Sequence, residues 1–131
     1  MADTVLPDVS AEFISADGQP SVAIKIASPY LELNVWIPHA HVNRLEQVRD
    51  ARWEGRGSIQ LGQVAGAPAW WDVNPEQGTL AILVGHDAET WDVGAWWPLA
   101  ALDEIIAEVR GCLDGPANGQ DPSAAGRRTR G

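Results

Sequence analysis

A single cysteine, Cys112, stands in the 131-residue chain, which excludes an internal disulfide and any zinc site built on several thiolates. Its place at the end of an amphipathic stretch reads as packing. No run approaches the roughly 18 apolar residues of a membrane-spanning helix. The opening MADTVLPDVSAEF has neither a basic start nor an apolar block, so no export signal is expected and a cytoplasmic location is. Lysine is nearly missing: eight arginines accompany the lone Lys25, with abundant alanine and glycine, a usage that fits a GC-rich bacterial gene of the actinobacterial kind.

Positive charge is short overall. Eighteen acidic residues face nine basic ones, a net of -9, and three of the nine are Arg127, Arg128 and Arg130 at the end of the chain. From Met1 to Gly115 there are 17 acidic and six basic residues, a net of -11. Such a body repels phosphate backbones, which argues against nucleic-acid binding, and it favours association with a cationic partner. Also missing are a GxSxG elbow, a glycine-rich phosphate loop ahead of a helix and a cysteine with a local catalytic partner. The acidic pairs, such as Glu89 with Asp92, are what any acidic chain supplies. The expectation is therefore a protein that is not an enzyme and needs no cofactor.

What the sequence does hold is alternation. The stretch TLAILVGHDAETWDVGAWWP, residues 79–98, reads as a hairpin whose two arms are apolar on more than one face, which places it near the middle of a sheet. Upstream, residues 9–14 and 22–27 read as strands around an Asp17-Gly18 turn, with Val22, Ile24 and Ile26 on one face and Lys25 on the other. Leu31, Leu33, Val35 and Ile37 alternate with Glu32, Asn34 and Trp36 in a third strand. Pro38 opens a helix of about three turns carrying Val42, Leu45, Val48 and Arg52, and Trp53 closes that stripe or begins the next turn. Short strands over 58–64 and 70–73 follow, separated by the bend GQVAGAPA, and Asn74 to Gly78 forms a turn. Pro98 opens a second helix with Leu99, Leu102, Ile105, Ile106 and Val109 on its apolar face, and Arg110-Gly111 ends it. The class is α+β: one domain over residues 1–113, a mainly antiparallel sheet of about six to seven strands and two helices in the order βββ-α-ββββ-α, then a disordered tail over 114–131.

Seven tryptophans against one phenylalanine and one tyrosine are the compositional anomaly. Strand parity sorts them. Trp71, Trp91 and Trp97 share the parity of Val73 and Val93 and are expected in the core. Trp36, Trp70 and Trp96 have the opposite parity, shared on their own strands by Glu32, by Asp72 and by Asp92. Two outcomes stay open: a helix covers these three and the carboxylates sit at strand ends, or they form an aromatic surface rimmed by acid, able to hold a cationic protein loop or a sugar ring. His39, His41, His86 and Asp87 offer enough donors for a metal. An HxH pair at a strand-to-helix junction and a His-Asp turn need only turn chemistry, so no metal is expected.

The small acidic α+β plan, with GHDAETWDVGAWWPL running from a tryptophan-rich strand through a proline into an amphipathic helix, resembles immunity proteins of bacterial polymorphic toxin systems. The resemblance covers roughly the second half of the chain. It implies a stoichiometric inhibitor that blocks a basic toxin domain, and it carries over no functional residue. A small-ligand or carbohydrate-binding domain using the same tryptophans is the alternative.

Overall fold

Alternating burial along consecutive strands sets the architecture. In the computed structural model, which describes residues 6–16, 18–52 and 57–114, the strands are β1 (Asp8–Ala16), β2 (Gln19–Ser28), β3 (Leu31–Pro38), β4 (Ile59–Val64), β5 (Ala67–Asn74), β6 (Thr79–Gly85) and β7 (Trp91–Pro98). They pair antiparallel in sequence order, so the sheet is an unbroken meander from β1 to β7. A 3-10 helix, His39–Asp50, connects β3 to β4, and helix α1 (Ala100–Asp114) follows β7. This is a single antiparallel sheet with two helices, α+β in kind and largely sheet.

One parity forms the inner face. Val22, Ile24 and Ile26 of β2, Leu33, Val35 and Ile37 of β3, Trp71 and Val73 of β5, and Leu80 and Ile82 of β6 are all buried in one cluster. The connecting helix adds Val42, Leu45 and Val48, and α1 adds Leu102, Ile105, Ile106 and Val109 to the same cluster, so both helices lie on the inner side. Helix α1 packs chiefly against β1. The outer parity of β3, Glu32, Asn34 and Trp36, stays exposed.

The connecting helix departs from the expected α-helix. Its buried residues Val42, Leu45 and Val48 recur every third position, and the neighbours that a 3.6-residue period would need, Glu46 and Arg49, are charged. Three residues per turn puts all three valine and leucine side chains in one line, and the backbone follows that period. No side-chain cap holds its start, and its exit is fixed by the sheet: Val73 N–H donates to Ala51 C=O at 2.8 Å, and Arg52 bridges Val73 in parallel. Trp53 lies outside the described residues. Arg49 pairs with Asp103 of α1 at 2.7 Å, and Arg110 of α1 pairs with Glu46, whose carboxyl is held below its ordinary range chiefly by the hydrogen bond from that guanidinium. These exposed pairs orient the two helices and add little stability.

Two further expectations change. The hairpin is not central: β6 is buried almost throughout, whereas β7 is the edge of the sheet. Helix α1 continues through Gly111 to Asp114, one residue into the span read as a tail; the remainder of that span lies outside the described residues. In β4, Gly62 occupies a register shift at φ +77°, and a Cβ there would lie 2.6 Å from the Trp36 carbonyl oxygen, so the bend depends on glycine. Among the described residues no helix is long and apolar enough to cross a membrane.

Candidate functional site

The outer face of β5, β6 and β7 carries a groove, and a bulge at the start of β7 creates one wall of it. Val84 pairs with Val93, but the next partner of Gly85 is Trp91, so Asp92 is an extra residue on β7. The bulge resets the parity that the strand would otherwise keep. Trp91, expected in the core, is instead 38% exposed and meets Trp96 edge to face, with ring centroids 5.8 Å apart and planes at 71°. Gly85 permits this approach: a Cβ there would lie 2.5 Å from the Trp91 Cα. Both indoles sit over Gly94, where a Cβ would meet the Trp96 ring at 2.7 Å and the Trp91 ring at 2.8 Å.

Across the strands, Asp72, Ala81 and Trp96 stand in one row, as do Trp70, Leu83 and Gly94 in the next. The small Ala81 between a carboxylate and an indole leaves a hollow of about 520 Å³, floored by the buried Ala81 and Leu83 and closed at one end by Asn74, Gln77 and Thr79 of the β5–β6 turn. Asn74 Oδ1 accepts the Gln77 N–H at 3.2 Å, which holds that turn.

Asp72 was expected on an exposed rim and is 4% exposed. Its Oδ2 accepts the Ser58 hydroxyl at 2.8 Å, and among the described residues it has no other hydrogen-bond partner and no cation. Burial pushes its carboxyl above the ordinary aspartate range, and the Ser58 hydrogen bond works against that rise. Here is a carboxylate sunk into a groove wall with one neutral donor.

The six residues singled out by parity are divided by the fold. Asp72 and Trp96 line the groove together. Trp70 is half-buried beside it, its indole N–H donating to the Gly85 carbonyl at 3.2 Å and so bracing the strand end that sets the bulge. Asp92 is exposed within the bulge and does not line the hollow. Trp36, 43% exposed, and Glu32 belong to the other half of the outer face, with β4 between them and the groove strands. Glu32 is engaged there, 3.8 Å from the Lys25 ammonium and accepting from Asn34 at 3.5 Å. Among the described residues no helix covers Trp36 or Trp96. Trp91, Gln77 and Thr79 are groove residues that parity missed; the signal for Trp91 was the glycine at 85 followed by a loop that lets a strand restart one residue out of phase.

The histidines lie apart. His39 packs its ring 5.4 Å from that of Phe13, and the exposed His86 lies 3.9 Å from an Asp87 oxygen. Asp87 is occupied by the loop: its Oδ1 accepts from Glu89 N–H, Thr90 N–H and the Thr90 hydroxyl, which hold its carboxyl below the ordinary range. Among the described residues no group of three or more histidine, cysteine, aspartate or glutamate side chains is placed to hold a metal. The half-buried Cys112 has its thiol pushed up by burial and by Glu12 and Glu108. The groove therefore offers an aromatic wall, a buried anionic point and amide and hydroxyl groups, a set suited to holding a flat or cationic group. No known family model matches the chain, and neither a curated protein nor a solved structure does.

Proposed function

We propose that this protein is a non-enzymatic interaction protein that docks a cationic protein partner on the outer face of β5–β7, acting as an inhibitor in the manner of the immunity proteins it resembles. One observation carries the reading: the exposed Trp91–Trp96 pair stands next to the buried Asp72 on a sheet face over which, among the described residues, no helix lies. Aromatic side chains held rigidly and left in water are the usual anchors of a contact surface. The net charge of -11 over residues 1–115 speeds the approach of a basic partner and selects against acidic ones. Trp36 and Glu32 make an outlying part of the same face.

A carbohydrate or other small ligand is the second reading, favoured by the four polar groups Asp72, Asn74, Gln77 and Thr79 around a hollow of about 520 Å³. Salt separates the two. Tagged protein is used for capture from the source cells at low and high ionic strength, beside Trp96→Ala protein that remains folded by circular dichroism. A protein captured at low salt, released at high salt and lost with Trp96→Ala is the expected result. Capture unchanged in the variant contradicts the face, and recovery of no protein moves the reading to a small ligand.

A further inference from the structure

We infer that the groove receives an arginine side chain of the partner, its guanidinium paired with Asp72 and stacked on the indole of Trp96. The inference rests on the docking face proposed above and adds the chemistry of what enters it. Three observations converge. Asp72 is buried with one neutral donor on Oδ2, and among the described residues nothing else uses its remaining acceptor capacity at a position that lines the hollow. A buried carboxylate in that state is costly until a cation or further donors reach it. Trp96, 54% exposed, is the opposite wall of the same row. Two strand spacings, about 10 Å, separate the Asp72 and Trp96 backbones, and only the methyl group of Ala81 stands between them.

Arginine fits this arrangement better than lysine. Its guanidinium is flat, stacks on an aromatic face while donating in its own plane, and sheds water more easily than an ammonium. End-on to the free oxygen of Asp72, it presents further N–H groups toward the wall that holds Gln77 and Thr79. The hollow exceeds one side chain in volume, so residues flanking the arginine enter with it.

The probe is a capped Gly-Ser-Arg-Ser-Gly peptide, followed by tryptophan fluorescence and calorimetry on the full chain. Its counterpart carries citrulline, which keeps the shape and loses the charge. The expected result is saturable binding of the arginine peptide, binding of the citrulline peptide about tenfold weaker or less, and loss of that difference in Asp72→Asn, which keeps an acceptor for Ser58 and the shape of the side chain. Equal binding of the two peptides, or no saturable binding of the arginine peptide, overturns the inference. So does saturable binding of maltotriose at the groove in place of the peptide. Tighter peptide binding by Arg127→Ala/Arg128→Ala/Arg130→Ala protein also overturns it, since the chain's own arginines would then be the occupant. If Trp96→Ala still abolishes partner capture while arginine and citrulline bind alike, the docking face stands and the arginine falls.

Discussion

The Trp97 indole N–H donates to Ser28 Oγ at 2.7 Å, joining the last strand of the meander to the second. Four strands separate them, a distance of about 24 Å in a flat sheet. The contact therefore requires the sheet to curl around its inner face, and it lies beside the cluster that both helices fill. Ser28→Ala should leave the buried Trp97 indole donor without its partner and cost about 1–2 kcal/mol in urea unfolding at constant m value. An unchanged midpoint would mean that packing alone holds the curl.

The two faces should respond differently to losing an indole. Trp71 is fully buried and donates to the Leu61 carbonyl at 2.9 Å, so Trp71→Ala removes core volume and strands a carbonyl. About 3–5 kcal/mol is expected from that change. Trp96→Ala on the outer face should cost no more than about 1–2 kcal/mol, since half of the ring is already in water. Thermal unfolding of the two variants side by side checks this; equal losses would contradict the division into a packed face and a contact face.

Asp72 gives the protein a pH signature opposite in sign to that of a paired carboxylate. Its folded carboxyl binds a proton more tightly than the unfolded chain does, because burial outweighs the Ser58 hydrogen bond. Stability therefore falls as pH rises from the unfolded value, about 3.9, through the raised folded value. Asp72→Asn should melt above the parent at neutral pH, with the gap closing below about pH 4. A variant less stable than the parent at pH 7 would show that the ionised carboxylate is satisfied in the free protein.

Gly94 is the hinge of the aromatic wall. A methyl group there meets both the Trp91 and the Trp96 rings. Gly94→Ala should separate the rings and change the near-ultraviolet circular dichroism of the tryptophans, leave the far-ultraviolet spectrum in place and weaken partner capture. Unaltered near-ultraviolet bands would refute the edge-to-face pair.

Most strands were legible because period two is a local property: Leu33, Val35 and Ile37 announce the inner face of β3 without reference to anything else. The 3-10 helix was legible as a helix but not as its type, since three buried residues at a spacing of three fit either period until the charged Glu46 and Arg49 are weighed. Trp91 shows where parity stops working. One extra residue, Asp92, lies between it and Val93 in the pairing with β6, and alternation carries no memory across a bulge. Strand parity puts Asp72 on the side of Trp70 but says nothing of its burial, because burial there depends on Ser58 and on the row through Ala81 to Trp96, contacts made by pairing across strands.

The central claim, that the outer face of β5–β7 is the contact surface, is tested most directly by site-specific photo-crosslinking in the source cells. A crosslinking side chain is placed at Gln77, exposed at the end of the hollow, and in a separate protein at Tyr30, fully exposed in the β2–β3 turn. The account predicts one dominant adduct from Gln77, to a basic protein, lost when Trp96→Ala is added and not formed from Tyr30. Adducts of equal yield from both positions, or a Gln77 adduct that persists in the Trp96→Ala background, would contradict it.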